Sequence, residues 1–298
     1  MGSDRITGRK RVFITGASST LLQEVIQHIP TDGFEVVGLT RNAVPTKVSN
    51  TRWVLADLFE PEKYAHELNS ADIIIHGAAL THSRNDSEYY RVNVEGFKTL
   101  LSQVEDKHRP LFVLISSRVA GPDSGAYGKS KLLAEKLLEE TISNWLILRP
   151  AEVFGGSKNE GIDSTVHSAM SKRIQPCPIG LRSKLYPIHR SDAAKAVYKA
   201  IFEDNVRNQI IYINGSSGYS FLEIIRLVEK VVGRRVTIVP LPHYVLAAAA
   251  FISAITGLNF GFVPDQVSRL YSKKEHGPGA ETTLALEEYI AKIATSKT

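Results

Sequence analysis

Short apolar runs alternating with helical stretches limit how this chain can fold more than any other feature. The runs are Arg11–Thr15 (RVFIT), Glu35–Leu39 (EVVGL), Arg52–Leu55 (RWVL), Asp72–His76 (DIIIH), Leu111–Ser116 (LFVLIS) and Trp145–Leu148 (WLIL). Each is β-branched or aromatic and almost continuously apolar, which marks a strand covered on both faces. Helical patterns at Leu21–Ile29, Tyr89–Glu105 and Lys129–Thr141 intervene. Strand and helix in alternation call for right-handed crossovers, so an α/β fold built on a doubly wound parallel sheet is expected.

The rhythm changes after Arg149. Residues 155–161 (GGSKNEG) and 174–185 (IQPCPIGLRSKL) look loop-rich. Helices are expected at Asp192–Phe202, Ser220–Val232 and Tyr244–Ile255, with strand-like Ile210–Ile213 and Val236–Val239 between them. There is no internal repeat and no low-complexity linker.

Composition removes several classes of protein. With 43% apolar and 22% charged residues the chain is an ordinary globular mix. A lone cysteine, Cys177, excludes a disulfide framework and a cysteine-based zinc site, and suits a reducing, cytoplasmic setting. The nine histidines include no His-Glu-x-x-His and no i, i+4 pair, so no metal site is expected. Gly-x-Ser-x-Gly is absent around Ser116 and Ser117, against a hydrolase. A net charge of +5 is too small and dispersed for a nucleic-acid partner but suits an anionic small molecule. Pro242–Gly257 (PHYVLAAAAFISAITG) is the one membrane candidate. Its uncharged stretch of about 15 residues falls short of the roughly 20 that span a bilayer, so no transmembrane segment is expected. A buried helix is the plain reading, and contact with a membrane surface the alternative.

The segment RVFITGASSTLLQEVIQHI is strand, tight turn and helix. Such a turn offers backbone N–H groups and the positive helix end to a pyrophosphate. Thr15, Gly16, Ser18, Ser19, Thr20 and Leu21 are the candidate ligands. Only Gly16 keeps a glycine of the usual GxxGxxG spacing; Ser19 and Leu22 stand at the others, and Leu22 is expected to push the helix away from its sheet. Thr40-Arg41 closes the second strand, where a carboxylate would accept from a ribose 2′-hydroxyl. Arg41 instead offers a cation to a 2′-phosphate, so NADP is the preferred cofactor, otherwise NAD. The expectation is a Rossmann-type dinucleotide-binding domain over residues 1–150. Residues 151–298 form a smaller mixed α/β C-terminal substrate lobe, with segments around 185–215 able to return to the main sheet.

Tyr127 and Lys131 lie four residues apart in YGKSK, hence on one helix face. A cation at about 4 Å contributes roughly 4 kcal/mol at an effective dielectric of 20, enough to bring a phenol toward neutral pH. Ser116 and Ser117, at the end of the preceding strand, offer hydroxyls to a substrate oxygen.

Together with this dyad, TGASS, ADL (Ala56–Leu58), HGAA (His76–Ala79), RVNVEG (Arg91–Gly96), LISS, LRPAEVFG (Leu148–Gly155), PIHRSDAAKA (Pro187–Ala196) and YINGSSGYSFLEI (Tyr212–Ile224) follow in order. In this the chain resembles the extended short-chain dehydrogenase/reductase family, in its NAD-dependent epimerase/dehydratase, nucleotide-sugar branch. The resemblance implies Tyr127 as catalytic acid/base, Lys131 as the residue that lowers its pKa and holds the nicotinamide ribose, and Ser117 as the hydroxyl orienting the substrate oxygen. It implies Asp57 and Leu58 beside the adenine, and Ala78 and Ala79 under the pyrophosphate and ribose. Ser116 joins the cofactor set, Asn93 braces the central strands, and Pro150 and Val153 flank the nicotinamide. It places Thr81 against the sugar and Glu152 where an Asn normally faces the diphosphate. Among the basic residues of 172–190, Arg182 and Lys184 are the preferred diphosphate clamp, because the resemblance implies a basic residue just before the IHRSD-like strand, where an arginine can bind a phosphate bidentately. Homodimerisation through Tyr89–Glu105 and Lys129–Thr141 is also implied.

The resemblance thus implies hydride transfer at the sugar C4, as a 4-keto reductase or a 4-epimerase. Arg118 after Ser117 disfavours 4,6-dehydration. Glu152 and the short loop RVAGPDSGA leave open a reductase of a non-nucleotide carbonyl, and the eroded glycine turn leaves open a silent dinucleotide sensor or scaffold.

Overall fold

The computed structural model describes residues 8–41, 51–156, 161–204, 206–256 and 264–295. Gly257 of the apolar span and residues 157–160 of the expected loop lie outside them. In chain order the elements begin β1 (Lys10–Thr15), α1 (Thr20–His28), β2 (Phe34–Thr40), β3 (Thr51–Leu55), α2 (Ala65–Ser70), β4 (Ile73–His76), α3 (Asp86–Tyr90), α4 (Gly96–Ser102), β5 (Leu111–Ile115) and α5 (Gly125–Thr141). They continue β6 (Trp145–Pro150), β7 (Val153–Phe154), α6 (Gly161–Ser171), β8 (Ile174–Pro178), β9 (Ile188–His189), α7 (Arg190–Phe202), β10 (Gln209–Ile213), α8 (Phe221–Val232), β11 (Thr237–Leu241), α9 (His243–Thr256), α10 (Pro264–Tyr271) and α11 (Leu286–Thr295).

The main sheet has seven strands in the order β10-β6-β5-β4-β1-β2-β3, and the pairs from β6 to β3 are parallel. The order reverses beside β1, where β2 and β4 flank it, so the Rossmann-type arrangement is met and a crevice opens beyond the strand ends. Phe13, Ile74, Phe112, Leu114 and Ile147 are buried in its core with Tyr64, Phe97 and Leu138 from the covering segments.

Two compact units share the chain. The first comprises residues 1–116, 130–149 and 194–211, and the second residues 117–129, 150–193 and 212–298. The second has its own core of Phe154, Val166, Cys177, Ile225, Val228 and Ile290. It also holds two small parallel pairs, β11 with β8 and β7 with β9.

Several local expectations are corrected. Ile174–Pro178, read as loop, is strand β8; its prolines fit because a two-stranded ribbon leaves each strand one unpaired edge. The helix expected over Tyr89–Glu105 is α3, a single π turn at Arg91–Glu95, then α4. Helix α5 begins at Gly125, four residues before the expected start, so Tyr127 falls in its first turn.

Candidate functional site

The first unit builds a cleft at the ends of β1, β2 and β4. Gly16, Ser18 and Ser19 line it from the β1–α1 turn, Arg41 and Asp57 from beyond β2 and β3, and Ala78 and Ala79 from beyond β4. Leu58, Phe59, Gly77 and Arg91 also line it. Gly16 adopts φ +66, and a Cβ there would stand 2.6 Å from the Ala78 amide nitrogen. The surviving glycine is therefore the one that permits the close backbone approach.

Ser19 caps α1, its hydroxyl accepting from the Leu22 N–H at 3.4 Å. Leu22, expected to push the helix away from its sheet, finds room beside Gly77. It is fully buried, and its side chain fills the space that a Cβ on Gly77 would take, 2.4 Å from Leu22 Cδ1. A glycine on β4's exit thus accommodates the leucine on α1. Thr15 sits beneath the cleft, where its Oγ1 bonds His76 Nδ1 at 2.7 Å and accepts from the Ala78 N–H at 3.3 Å. Thr20 and Leu21 open α1 and do not line the cleft.

The cleft carries charge of both signs. Arg41 lies 3.6 Å from Asp57, and Arg91, which the sequence reading missed, lies over the Phe59 ring at 5.6 Å and bonds Glu88. A helix N-terminus and an exposed aromatic ring fit an adenosine bearing phosphates, beside two guanidiniums that are each held by a carboxylate.

Other expected residues take supporting positions. Asn93 clamps the chain beyond β4, accepting from the Leu80 N–H at 2.7 Å while its amide donates to the Leu80 carbonyl and to Ser130 Oγ. Ser116 does not face the cleft: its hydroxyl donates to the buried carboxylate of Glu135, which also holds Arg149. Lys131 is buried and donates to the Ile115 carbonyl at 2.9 Å. Burial brings its pKa down to about 8, against the pull of Glu135. Burial, reinforced by the Lys131 charge, keeps His76 well below the usual imidazole range, so it stands neutral. Thr81 is exposed, within 3.0 Å of His82 Nδ1.

In the second unit Tyr127 is buried beside Ser117, with a hydrogen bond between their side chains. The Arg269 guanidinium covers the phenol ring at 4.7 Å. Arg269 is held by Asp265 at 2.9 Å, and the same carboxylate accepts from the Tyr127 N–H at 3.0 Å. Burial raises the phenol's pKa above the ordinary tyrosine value; Arg269 and the Ser117 hydrogen bond oppose that rise, and Asp265 adds to it. The cation acting on this ring is thus Arg269, 142 residues away in sequence, which no local motif signals.

Glu152 is not an unpaired carboxylate. Arg118, wholly buried, donates to it at 2.8 Å and also to the Lys184 and Glu275 carbonyls, and the Tyr186 N–H adds a second donor to Glu152. Pro150 accepts from the Arg118 N–H, and Val153 pairs with Ile188. Lys184 extends toward Glu223 at 3.8 Å and Arg182 is exposed, so the expected clamp is not assembled. Lys274, which the sequence reading did not single out, is buried near this group, and burial lowers its pKa to about 8.

Comparison with known proteins follows the same lines. The model of the family described as "NAD dependent epimerase/dehydratase family" matches residues 12–213. The chain is 22% identical over 195 residues to the NADH-ubiquinone oxidoreductase 40 kDa subunit of Neurospora crassa, covering 65% of this chain and 51% of that protein. It is 23% identical to the 4-hydroxy-2-methyl-3-oxo-4-farnesyl-3,4-dihydroquinoline-1-oxide ketoreductase of Stigmatella aurantiaca, covering 55% of this chain and 57% of that one. The chain therefore spans little more than half the length of these relatives. In fold it is similar to UDP-glucuronic acid 4-epimerase from Bacillus cereus in complex with NAD, at TM-score 0.68 and 17% identity over 96% of each chain. With the family model matched across more than half its length, the chain belongs to the NAD-dependent epimerase/dehydratase family of extended short-chain dehydrogenases/reductases.

Proposed function

We propose that this protein is an NADP-preferring oxidoreductase acting at C4 of a nucleotide-linked sugar, as a 4-keto reductase or, less in keeping with its cleft, a 4-epimerase. The observation that carries the reading is a buried tyrosine hydrogen-bonded to Ser117 on the helix that bears Lys131 one turn on. The nicotinamide, when bound, supplies or accepts the hydride. Tyr127 gives its proton to the C4 oxygen during reduction or removes it during oxidation. Ser117 orients that oxygen, and Lys131 holds the ribose hydroxyls with its ammonium. Gly16, Ser18 and Ser19 take the pyrophosphate. Arg41 and Arg91 meet a 2′-phosphate, and the preference for NADPH favours the reductase, which consumes cofactor. Dimerisation through α3–α4 and α5 in a reducing cytoplasm belongs to the same reading, and sedimentation would test it.

The test is NADPH oxidation against a panel of 4-keto nucleotide sugars. Wild type should turn over, and Tyr127→Phe should lose roughly 10²–10⁴-fold in kcat. Equal background rates for the two proteins would overturn the catalytic role, and tighter binding of NADH than NADPH in a fluorescence titration would overturn the cofactor preference. Cofactor retained through purification would move the assignment to an epimerase.

Glu152 favours a second reading, a reductase of a non-nucleotide carbonyl. A carboxylate fixed by Arg118 stands where the family resemblance expects an amide toward the diphosphate. The similarity to a ketoreductase points the same way. Turnover of lipophilic ketones with none of nucleotide sugars would select it.

A further inference from the structure

Helix α9 turns an apolar face outward. It carries no lysine, arginine or carboxylate along His243–Thr256. Its inner side, Leu246, Ala250 and Ser253, is buried on Val267 and Tyr271. Its outer side presents Tyr244 (72% exposed), Ala248, Phe251 (63%), Ile252 and Ile255 (69%). Positions 244, 248, 251, 252 and 255 recur at helical spacing, so they form one stripe along nearly the whole helix. A helix that is apolar all round belongs in a core or in lipid, not against water. The ribbon feeding α9 adds exposed Ile174 and Val239, and Ile179 follows directly after β8. Of the thirteen large apolar side chains exposed among the described residues, seven fall on this ribbon and helix and an eighth, Ile179, directly follows β8, which concentrates them instead of scattering them.

The sequence that flanks this face is rich in basic residues, of which Lys184 and Lys230 are paired with Glu223 and Glu287. From Ser164 to Ser191 the chain holds Lys172, Arg173, Arg182, Lys184 and Arg190 and no carboxylate. From Lys230 to Pro264 it holds Lys230, Arg234 and Arg235 and again no carboxylate. Arg182 is exposed next to Leu181, which packs against the cluster under α9. Lys273 is exposed two residues beyond Tyr271, whose ring meets His243 edge-on at 4.6 Å.

We propose that the outer face of α9, with its basic border, docks on an anionic lipid bilayer. Apolar side chains enter the headgroup boundary, and Arg182 and Lys273 meet lipid phosphates and carboxylates. At 14 residues α9 is about 21 Å long, too short to cross the roughly 30 Å hydrocarbon layer, so it lies in the plane of the surface. A second copy of this chain is the weaker occupant, because a two-fold contact would set the basic border against itself.

The experiment is flotation of the full chain with vesicles of phosphatidylcholine alone and of phosphatidylcholine mixed with phosphatidylserine. The protein should partition onto the mixed vesicles and come off as salt is raised. Phe251→Ser with Ile255→Ser should lower the partition coefficient by roughly tenfold or more with the thermal midpoint unchanged. Tyr244→Trp should show a blue-shifted emission on the mixed vesicles. The proposal is overturned if wild type stays with the buffer on both vesicle types or if the serine pair leaves partition unchanged. A dimer that the serine pair dissociates would overturn it equally. None of these readouts depends on turnover, so the enzymatic reading stands or falls separately.

Discussion

The stacking of Arg269 on Tyr127 has a direction that kinetics can read. A cation over the ring favours the phenolate, so Arg269 holds down a pKa that burial pushes up. Arg269→Met should therefore move the pH limb of kcat/KM that reports Tyr127 ionisation upward, and Arg269→Lys should restore part of it. A lower kcat with an unmoved limb would show that Arg269 only supports the fold. A second residue-scale test concerns Arg118. Arg118→Met leaves Glu152 without its buried partner and should destabilise the protein by about 3–5 kcal/mol in urea. Adding Glu152→Gln should recover much of the loss; equal midpoints for single and double variants would refute the pairing argument. Ser117 and Tyr127, joined by a hydrogen bond, are readable in sequence because a strand end and a helix start are local. Arg269 and Lys274 are not, since nothing local links them to positions more than a hundred residues upstream.

At the scale of elements, the meeting of α1 with the exit of β4 turns on complementary volumes. Leu22 stands where a glycine was expected, and Gly77 supplies the missing room. Leu22→Ala should cost about 2–5 kcal/mol by the cavity it opens, measured by chemical denaturation. A loss below about 1 kcal/mol would mean that the helix closes the gap by itself. This trade also shows the limit of a motif: counting glycines along α1 cannot register a compensating glycine on β4. The parallel strands were legible because strands covered on both faces are apolar throughout. β8 was not, because Pro176 and Pro178 read as loop until pairing with β11 is known. Helix α11 escaped as well; only Leu286 and Ile290 are buried along it, too few to mark a period.

For the whole molecule, buried lysines set a pH dependence. Lys131 and Lys274 both fall to about 8 from 10.5 in the folded protein. Between those values the unfolded chain binds protons that the folded chain does not, so their contribution to stability rises with pH. Below about 8 the cost of burying the charges is fully present. Lys274→Met should thus be more stable than wild type near neutral pH, with the difference shrinking by about pH 10. A gap that stays constant over that range would contradict the shift. The division into compact units has its own bearing on how the protein comes to exist. The chain passes from one unit to the other five times, after residues 116, 129, 149, 193 and 211. During synthesis, the edge strand β10 leaves the ribosome last among the sheet's strands. A nascent chain that stops short of it presents β6 with an open flank, an invitation to chaperones or to aggregation.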